Sequence, residues 1–430
     1  MAIQRDLYLE KLKNRMDNGM IKIITGMRRS GKSYLLFKLF YNYLIESGVN
    51  KNSIIALNLE EEENAVYRDP HKLYEYILSR INQQEHSIVL LDEVQYAISP
   101  SDVASDKPLP IYGILNGLLN KRNVDVYVTG SNSRFLSSDV RTEFRGRGDE
   151  VHVQPLSFAE FMSVYEGDKY EGLRDYMTYG GLPQIVSFKT HEQKTAYLTN
   201  LFKETYLKDI IARYNVRSNA NELGELVDIL ASGIGSLTNP RKLSNTFKSV
   251  KNTSVSDMTI SKYIGYMEDS FLIDEASQYD IKGKRYINSP KKYYFSDTGL
   301  RNARLNFRQL EETHAMENVI FNELKLRGYS VDVGIVEKRE KSNDGQSLLR
   351  KRYEIDFVAN QGYKRYYIQS ALSMPDLEKE QQEQKPLINV NDSFKKIIIV
   401  GNLMNKYYND NGILIMSIYD FLLNKDSLDS

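Results

Sequence analysis

Short apolar runs alternate with longer amphipathic stretches over the first third of the chain. Two of these stretches, 32–47 and 70–83, place apolar residues at helical spacing. The runs have the length and content of buried strands, and they lie at 20–25, 53–59, 87–92, 124–129 and 150–153. Strands that alternate with helices indicate a parallel sheet covered on both faces. The pattern therefore predicts an α/β domain over residues 1–155.

The pattern changes after residue 155. Residues 156–220 are predicted to be mostly helical, broken at Tyr179-Gly180-Gly181-Leu182-Pro183. Residues 221–306 then have the order of a winged helix-turn-helix, because three amphipathic helices precede a hairpin that turns at Lys282-Gly283. The helices are expected at 222–232, 240–249 and 256–269, the last capped by Ser256. This region is predicted to be a separate domain.

The remaining residues, 307–430, form the last predicted domain. A helix leads into strands expected around 330–336, 353–359, 364–369 and 396–400. The polar stretch 337–352 is interpreted as a long hairpin loop, since it lacks an apolar face. The expected architecture is thus a P-loop-type parallel sheet, a helical and winged-helix region, and a second α/β domain.

Composition narrows the class of protein. Of the 430 residues, 41% are hydrophobic and 27% charged, which is typical of a soluble globular chain. Basic and acidic residues are equal at 57 each, so any nucleic-acid site must be a local basic patch. Cysteine is absent, which excludes disulfides and thiolate chemistry. No apolar run is long enough to span a bilayer. A cytoplasmic protein without a membrane partner is expected.

The loop after the first predicted strand carries the strongest chemical motif. Gly26-x4-Gly31-Lys32-Ser33 fits the phosphate-binding pattern G-x-x-x-x-G-K-[ST] between a strand and a helix. Its backbone N–H groups and the helix dipole favour phosphate, with Lys32 on the β- and γ-phosphates and Ser33 on Mg²⁺. ATP and Mg²⁺ are therefore the expected cofactors. The predicted nucleotide contacts are Gly26, Met27, Arg28, Arg29, Ser30, Gly31, Lys32, Ser33 and Tyr34.

The strand at 87–92 supplies the complementary acids. It ends in Asp92-Glu93, where Asp92 would hold the metal and Glu93 would act as the catalytic base. We attribute the role of an extra central strand to the run at 53–59, which separates the two motifs in sequence. That arrangement indicates an ATPase with a built-in glutamate. A GTPase is disfavoured because 120–123 (NKRN) lacks the aspartate that recognises guanine.

Two further elements are candidates for sensing the γ-phosphate. Ser131 or Asn132 follows the strand at 124–129, although serines there also cap helices. Arg141, Arg145 and Arg147 come next, and one of them would serve as an arginine finger in cis or from a neighbouring subunit. The second case requires a homo-oligomer. Exposed arginine without a catalytic role is the alternative.

These residues resemble a group of AAA+-like prokaryotic ATPases that carry a C-terminal DUF4143 domain. The resemblance covers nearly the whole chain and rests on GMRRSGKS at 26–33, LLDEVQ at 90–95, YVTGSNSRFLSSDV at 127–140, FRGRGDEVHVQPLSFAEF at 144–161, YGGLP at 179–183, YLKDIIARYNV at 206–216, DMTISKYIGYMEDSFLI at 257–273 and KYYFSDTGLRNARLN at 292–306. It implies an AAA module at the N-terminus. It also implies that Arg147 is the best finger candidate and Arg145 the next.

The predicted winged helix offers a duplex DNA site. Thr259, Ser261 and Lys262 would face a major groove from the third helix. Cations on the hairpin would meet phosphates, namely Lys282, Lys284 and Arg285, and basic residues continue at Lys291 and Lys292 as part of one local patch. Because winged helices also bind proteins, a protein partner is the alternative.

The last domain resembles the restriction-endonuclease-like fold. Such a nuclease needs acids for Mg²⁺ and a lysine beside the attacking water. Glu317 and Asp356 are the acids here, while Gln369 replaces an acid and Ala371 stands where the lysine is wanted. These residues are interpreted as the relic of a nuclease site.

Three functions are compatible with these motifs. The first is a DNA-associated ATPase whose nucleotide state controls the attached domains. The second is a signalling or scaffold switch that binds proteins and ignores DNA. The third is an ATP-dependent nuclease, against which Ala371 is the contrary observation.

Overall fold

The chain folds into two compact units, Met1–Pro155 and Leu156–Ser430. The computed structural model describes residues 3–82, 84–99, 102, 108–130, 144, 146–216, 219–251, 253–308, 310–341, 348–403 and 405–429. Within these ranges, every helix falls short of the length and apolar content that crossing a bilayer requires.

The first unit is built on a parallel five-stranded sheet, which confirms the α/β prediction. Its strands are β1 (Ile21–Thr25), β2 (Ile54–Asn58), β3 (Ser87–Asp92), β4 (Val124–Thr129) and β5 (Gly148–His152). Their order is β2-β3-β4-β1-β5. The strand inserted between β1 and β3 is therefore β4. The prediction that β2 takes this position is wrong, because β2 lies at the edge of the sheet.

Helices surround this sheet and follow local sequence signals. Asp69 caps one of them by accepting hydrogen bonds from the amides of His71 and Lys72, and Pro70 occupies its first turn. The helical bounds are Asp6–Lys13, Lys32–Tyr34, a π-helix Leu35–Phe40, Tyr41–Glu46, Pro70–Arg80 and Pro110–Leu119. The π-helix lies in the middle of the helix predicted at 32–47. The sequence does not distinguish it from a regular helix, because one wider turn hardly changes the spacing of apolar positions.

Burial explains why the strands of this sheet are so apolar. Every residue of β1, β3 and β4 is buried. A parallel sheet covered on both faces needs continuous apolar strands rather than alternating ones. The carboxyl ends of these strands lie together at one edge, which is where the candidate chemistry of this unit is found.

The second unit contains an eight-stranded mixed sheet. Its strands are β6 (Ile273–Asp280), β7 (Arg285–Phe295), β8 (Ser330–Lys341), β9 (Leu348–Gln361), β10 (Lys364–Ala371), β11 (Lys395–Val400), β12 (Tyr407–Tyr408) and β13 (Leu414–Ser417). Their order is β12-β13-β11-β10-β9-β8-β6-β7. The β6–β7 hairpin therefore shares one sheet with the later strands, since β6 pairs in parallel with β8.

Within the polar stretch 337–352, residues 337–341 and 348–352 are strand rather than the predicted loop. Glu337 pairs with Arg352, Lys338 with Lys351, and Arg339 with Arg350. No apolar alternation marks these positions, because exposed side chains such as those of Lys338, Arg339 and Lys351 contribute nothing to the core. The sequence pattern therefore could not distinguish these strand residues from a loop.

Helices complete the second unit. Their bounds are Phe158–Met162, Lys169–Tyr179, His191–Leu201, a π-helix Phe202–Leu207, Lys208–Arg213, Ala220–Ser232, Pro240–Lys251, Asp257–Asp269, Thr298–Arg304, Glu312–Leu326, Leu377–Ile388 and Ile418–Leu423. Ser256 accepts a hydrogen bond from the amide of Thr259 and caps the helix that follows, as its sequence position predicts.

Candidate functional site

The loop between β1 and the next helix needs its glycines for two different reasons. Gly26 has φ of 134°, and a Cβ there would lie 2.1 Å from the carbonyl oxygen of Val153. Gly31 has φ of 95°, in the left-handed region that other residues rarely enter. The loop therefore packs its backbone against the chain after β5.

Lys32 lies inside this loop. Its ammonium donates hydrogen bonds to the carbonyl oxygens of Gly26 (3.0 Å) and Met27 (2.8 Å). The side chain is buried, and this burial lowers the pKa of Lys32 to about 8, although the charges of Glu93 and Asp92 oppose the change. Within the described residues Lys32 forms no salt bridge. A buried cation held only by carbonyl dipoles is well suited to attract a phosphate.

The predicted metal ligands, Ser33 and Asp92, are in contact. Asp92 is buried at the end of β3, and burial raises its pKa to about 6, against the hydrogen bonds that it accepts from Thr129 and Ser33. The Thr129 hydroxyl donates directly to a carboxylate oxygen of Asp92. A hydroxyl and a carboxylate are ligands that Mg²⁺ prefers. The residues present therefore fit a magnesium ion.

Glu93 is held next to this pair in an uncommon backbone conformation. Its φ is 52°, and its amide donates a 3.0 Å hydrogen bond to the Thr129 hydroxyl. Gln95 donates a hydrogen bond to its carboxylate. Thr129 thus connects the two acids, a role that sequence reasoning missed. The available sequence signal was only that Thr129 ends a predicted strand, which places it at the carboxyl edge of a parallel sheet.

Arg5 supports the loop from the N-terminal segment. Its guanidinium is buried and donates to the carbonyl oxygen of Ser30 (2.7 Å) in the loop and to that of Gln154 (2.9 Å) after β5. The Tyr8 hydroxyl accepts a hydrogen bond from the amide of Gln154, and its ring lies beneath the guanidinium. Sequence reasoning missed Arg5, because nothing local marks an arginine that acts on distant carbonyls.

The arginine-finger candidate Arg147 lies elsewhere in this unit. It is exposed just before β5, and its carbonyl accepts a hydrogen bond from the amide of Ile21 at the start of β1. The phosphate loop follows the other end of β1, roughly 15 Å away for a strand of this length. The geometry therefore opposes a finger in cis. Ser131, Asn132, Arg141 and Arg145 lie outside the described residues.

The second unit holds another cluster of charge. Lys292 of β7 places its ammonium 2.8 Å from Glu317, 2.8 Å from Glu354 and 3.5 Å from Asp356. Tyr294 donates to Glu317, and the amide of Ser370 donates to Asp356. Glu317 and Asp356, the two acids predicted for the nuclease relic, thus lie in one cluster. Gln369 lies on β10 beside them, and its Oε1 is buried with no hydrogen-bond partner among the described residues.

The pKa shifts in this cluster follow from burial and charge. Burial alone would lower the pKa of Lys292, but the attraction of Glu317, Asp356 and Glu354 outweighs it and raises that pKa. Burial raises the pKa of Asp356, with Lys292 opposing the change. The prediction that Lys292 extends a basic surface patch is wrong, because its side chain is only 3% exposed. Lys291 pairs instead with Glu275 at 2.5 Å.

The other predicted DNA contacts are mostly on the surface. Ser261 and Lys262 are exposed on the helix Asp257–Asp269, whereas Thr259 is half-buried and its hydroxyl bonds to that of Ser256. On the β6–β7 turn the exposed cations are Lys282, Lys284 and Arg285. Lys282 donates to the carbonyl of Glu337, and Arg285 pairs with Asp280 at 3.3 Å.

The β8–β9 ribbon adds cations that sequence reasoning missed. They are exposed and comprise Lys338, Arg339, Arg350, Lys351 and Arg352. Arg350 pairs with Glu337, and Arg352 donates to Gln278 of β6. Since β6 runs beside β8, the cations of both hairpins belong to one neighbourhood. We call the three turn cations and these five residues the basic ribbon surface.

Comparisons with known proteins agree with the first unit's geometry. Residues 18–162 match the family model described as an AAA domain. The chain is 34% identical to an uncharacterized protein of Haemophilus influenzae over 98% of both chains. The chain belongs to this AAA+-like ATPase family. The uncharacterized protein MJ1544 of Methanocaldococcus jannaschii is 25% identical to this ATPase, over 97% of this chain and 88% of that protein.

The other comparisons concern the second unit and solved structures. Residues 170–311 of this ATPase match a domain of unknown function, DUF8612, so the DUF4143 name is not confirmed. A solved structure similar to it is the Walker-type ATPase PABY2304 of Pyrococcus abyssi. The TM-score is 0.48 at 14% identity, over 71% of this chain and 96% of that one.

Proposed function

We propose that the protein is a Mg²⁺-dependent ATPase whose nucleotide state controls the second unit, which associates with duplex DNA. The observation that carries the ATPase part is the convergence of Lys32, Ser33, Asp92 and Glu93 at one edge of the sheet. They come from two strand ends that β4 separates, and Thr129 of β4 joins the acids.

Each residue has a defined task in hydrolysis. Loop amides bind the phosphates, and Lys32 exchanges its carbonyl partners for the β- and γ-phosphates. Ser33 and Asp92 would hold Mg²⁺, which would supply positive charge to the phosphate oxygens. Glu93 accepts the proton of the attacking water. Thr129 keeps Glu93 and Asp92 in register through hydrogen bonds to both.

Removing the lysine tests the site. Lys32→Ala is expected to abolish ATP binding, measured by calorimetry or with a fluorescent ATP analogue, because the main cation of the loop is lost. Lys38→Ala on the same helical segment is the control, and it should bind ATP normally. Wild-type affinity in Lys32→Ala would exclude this loop as the nucleotide site.

We propose that Arg147 acts on a neighbouring subunit. Its exposed position at the amino end of β5 supports this, since its own phosphate loop lies at the other edge. Arg147→Ala and Lys32→Ala proteins should each be inactive, and mixing them should restore part of the turnover. Full activity of Arg147→Ala alone would rule out a finger at this position.

Arg5 offers a route from nucleotide to the second unit. It links Ser30 of the phosphate loop to Gln154 and to the carbonyl of Pro155 (3.3 Å), the last residue before that unit begins. A loop that shifts on binding ATP would change these hydrogen bonds. This supports control of the second unit by nucleotide state.

The basic ribbon surface supports association with DNA. Its cations are concentrated in a chain with no net charge, and phosphate contacts need such a local surplus. The three helices before β6 support a winged-helix interpretation, in which Thr259, Ser261 and Lys262 approach the bases. The order of helix Glu312–Leu326, strands β8 to β10, helix Leu377–Ile388 and β11 supports a restriction-endonuclease-like domain.

Duplex DNA should stimulate ATP hydrolysis and bind with a steep salt dependence. Neutralising Lys282, Lys284 and Arg285 together should weaken binding and flatten that slope by about one unit for each phosphate that the protein no longer neutralises. Neutralising Lys338, Arg339 and Lys351 should act similarly if the β8–β9 ribbon also touches DNA. An ATPase that ignores DNA in both assays would favour the protein-binding switch.

A further inference from the structure

The ammonium of Lys292 lies at the centre of the acidic cluster in the second unit. Glu317 and Glu354 approach it at 2.8 Å, and Asp356 approaches at 3.5 Å. These acids come from a helix and from β9, whereas Lys292 comes from β7. Three separate elements therefore converge on one cation that the chain itself supplies.

The three carboxylates each lie close to the ammonium of Lys292, but they do not all lie close to one another. Their oxygen atoms do not all approach within 4.8 Å, the spacing that three ligands of a shared metal ion would have. The remaining hydrogen bonds of Glu317 and Asp356 come from Tyr294 and from the amide of Ser370. A divalent ion could join Glu317 and Asp356 only by displacing the ammonium.

The lysine does not restore the arrangement of a nuclease. A nuclease of this fold uses its metal on the acids and its lysine beside the water, so both cations are present together. Here one ammonium holds all three acids, and position 371 is alanine. The residues thus do not fit a metal ion while Lys292 is in place.

We propose that Lys292 is the resident cation of this site, in the position of a catalytic metal, so that the second unit does not hydrolyse phosphodiesters. The cluster then joins β7, β9 and the helix Glu312–Leu326 as a fixed structural unit. This inference is independent of ATP hydrolysis and of DNA binding, because it concerns neither the phosphate loop nor the basic ribbon surface.

The proposal predicts that removing the ammonium creates a divalent metal site. Lys292→Met alone would leave three buried acids, so we pair it with Glu354→Gln. The double variant has the same net charge as the wild type and retains Glu317 and Asp356. Any gain in metal binding then reflects the vacated position rather than added negative charge. All proteins carry Asp92→Asn, which removes the metal ligand of the first unit.

Mn²⁺ binding is measured by calorimetry and by electron paramagnetic resonance without nucleotide. We expect one bound Mn²⁺ in Lys292→Met/Glu354→Gln and none in the protein that retains Lys292. Adding Glu317→Gln should weaken the new site about tenfold to a hundredfold. Lys291→Met/Glu275→Gln makes the same exchange at the neighbouring lysine and its partner, and it should bind no Mn²⁺.

Several outcomes would overturn the proposal. One is Mn²⁺ bound by the Lys292 protein and released by Glu317→Gln. Another is a double variant that binds no Mn²⁺, whether it folds or fails to fold even in Mn²⁺. The last is cleavage of duplex or single-stranded DNA by wild-type protein with Mn²⁺, stopped by Glu317→Gln. As a second readout in the same Asp92→Asn background, Mn²⁺ should raise the melting temperature of Lys292→Met/Glu354→Gln but not that of the protein that retains Lys292.

Discussion

Each of the two units buries a lysine near carboxylates, and the pKa values of the two lysines shift in opposite directions. Lys32 and Lys292 are both only 3% exposed. Lys32 contacts two carbonyl oxygens, and burial lowers its pKa to about 8. Lys292 contacts carboxylates, whose attraction overcomes burial and raises its pKa. Because the two side chains are equally buried, the opposite pKa shifts come from the groups around each ammonium.

This difference separates a site that needs a ligand from one that is complete. Carbonyl dipoles satisfy the hydrogen bonds of the Lys32 ammonium without neutralising its charge, so an incoming phosphate gains a strong charge-assisted interaction. The charge of Lys292 is already balanced by ionised partners at 2.8 Å. Both clusters contain acids and a lysine, yet only the first retains an unbalanced cation for an anionic substrate.

The largest difference between the two clusters should appear when one acid of each is substituted. Glu93→Gln is expected to lower ATP turnover by about 10²–10⁴-fold, since the base for the attacking water is removed. Glu354→Gln should leave turnover unchanged, because the acids around Lys292 take no part in hydrolysis. Phosphate release at saturating ATP measures both, and bound nucleotide checks that Glu93→Gln still binds ATP. Equal losses in the two variants would contradict the division of roles.

Removing each lysine should affect stability in different ways. Lys292→Met leaves buried acids without their counter-ion and should cost about 3–5 kcal/mol of folding free energy. Lys32→Met removes a buried charge that no carboxylate contacts, and we expect a loss below about 1 kcal/mol. Thermal unfolding monitored by calorimetry, in buffer without divalent ions, distinguishes them. A larger destabilisation by Lys32→Met would reverse the comparison.

The parts that sequence could predict are those whose residues are neighbours in the chain. The phosphate loop, Asp92-Glu93 and the parallel sheet follow from local motifs and from apolar runs. Lys292 is 25 residues from Glu317 and 64 from Asp356, and Arg5 is 25 residues from Ser30. No local pattern joins such residues, since only the tertiary fold brings them together. For this reason the sequence alone predicts Lys292 as part of a basic surface patch.

Topology was limited in the same way. The sequence indicated that an ATPase needs an extra central strand, but it could not show that β4 rather than β2 takes that position. Thr129 became informative only after β4 was located beside β3, where its hydroxyl contacts both acids. The strand residues at 337–341 and 348–352 escaped prediction because the exposed cations there show no apolar alternation.

The pH dependence of hydrolysis should reflect the first cluster alone. Catalysis needs Asp92 ionised and Lys32 protonated, so kcat/KM should fall as pH drops below about 6 and as it rises above about 8. Each limb should approach about tenfold per pH unit. Thr129→Val removes a hydrogen bond that lowers the pKa of Asp92, so the acid limb should move to higher pH. Glu317→Gln should leave the profile in place, and a shifted profile would link the two clusters.

The smallest effect is expected at Arg5, which holds the same loop from outside. In the proposed mechanism Lys32 exchanges its carbonyl partners for phosphate when ATP binds, whereas Arg5 acts on the loop itself, through the carbonyl of Ser30. Arg5→Ala should therefore weaken ATP binding about tenfold, or about 1.4 kcal/mol, without altering the pH profile. Arg15→Ala is the control, because its partly exposed pair with Asp149 should contribute under about 1 kcal/mol. Unchanged ATP affinity in Arg5→Ala would mean that the loop keeps its shape unaided, and that Lys32 alone distinguishes this site from the balanced cluster around Lys292.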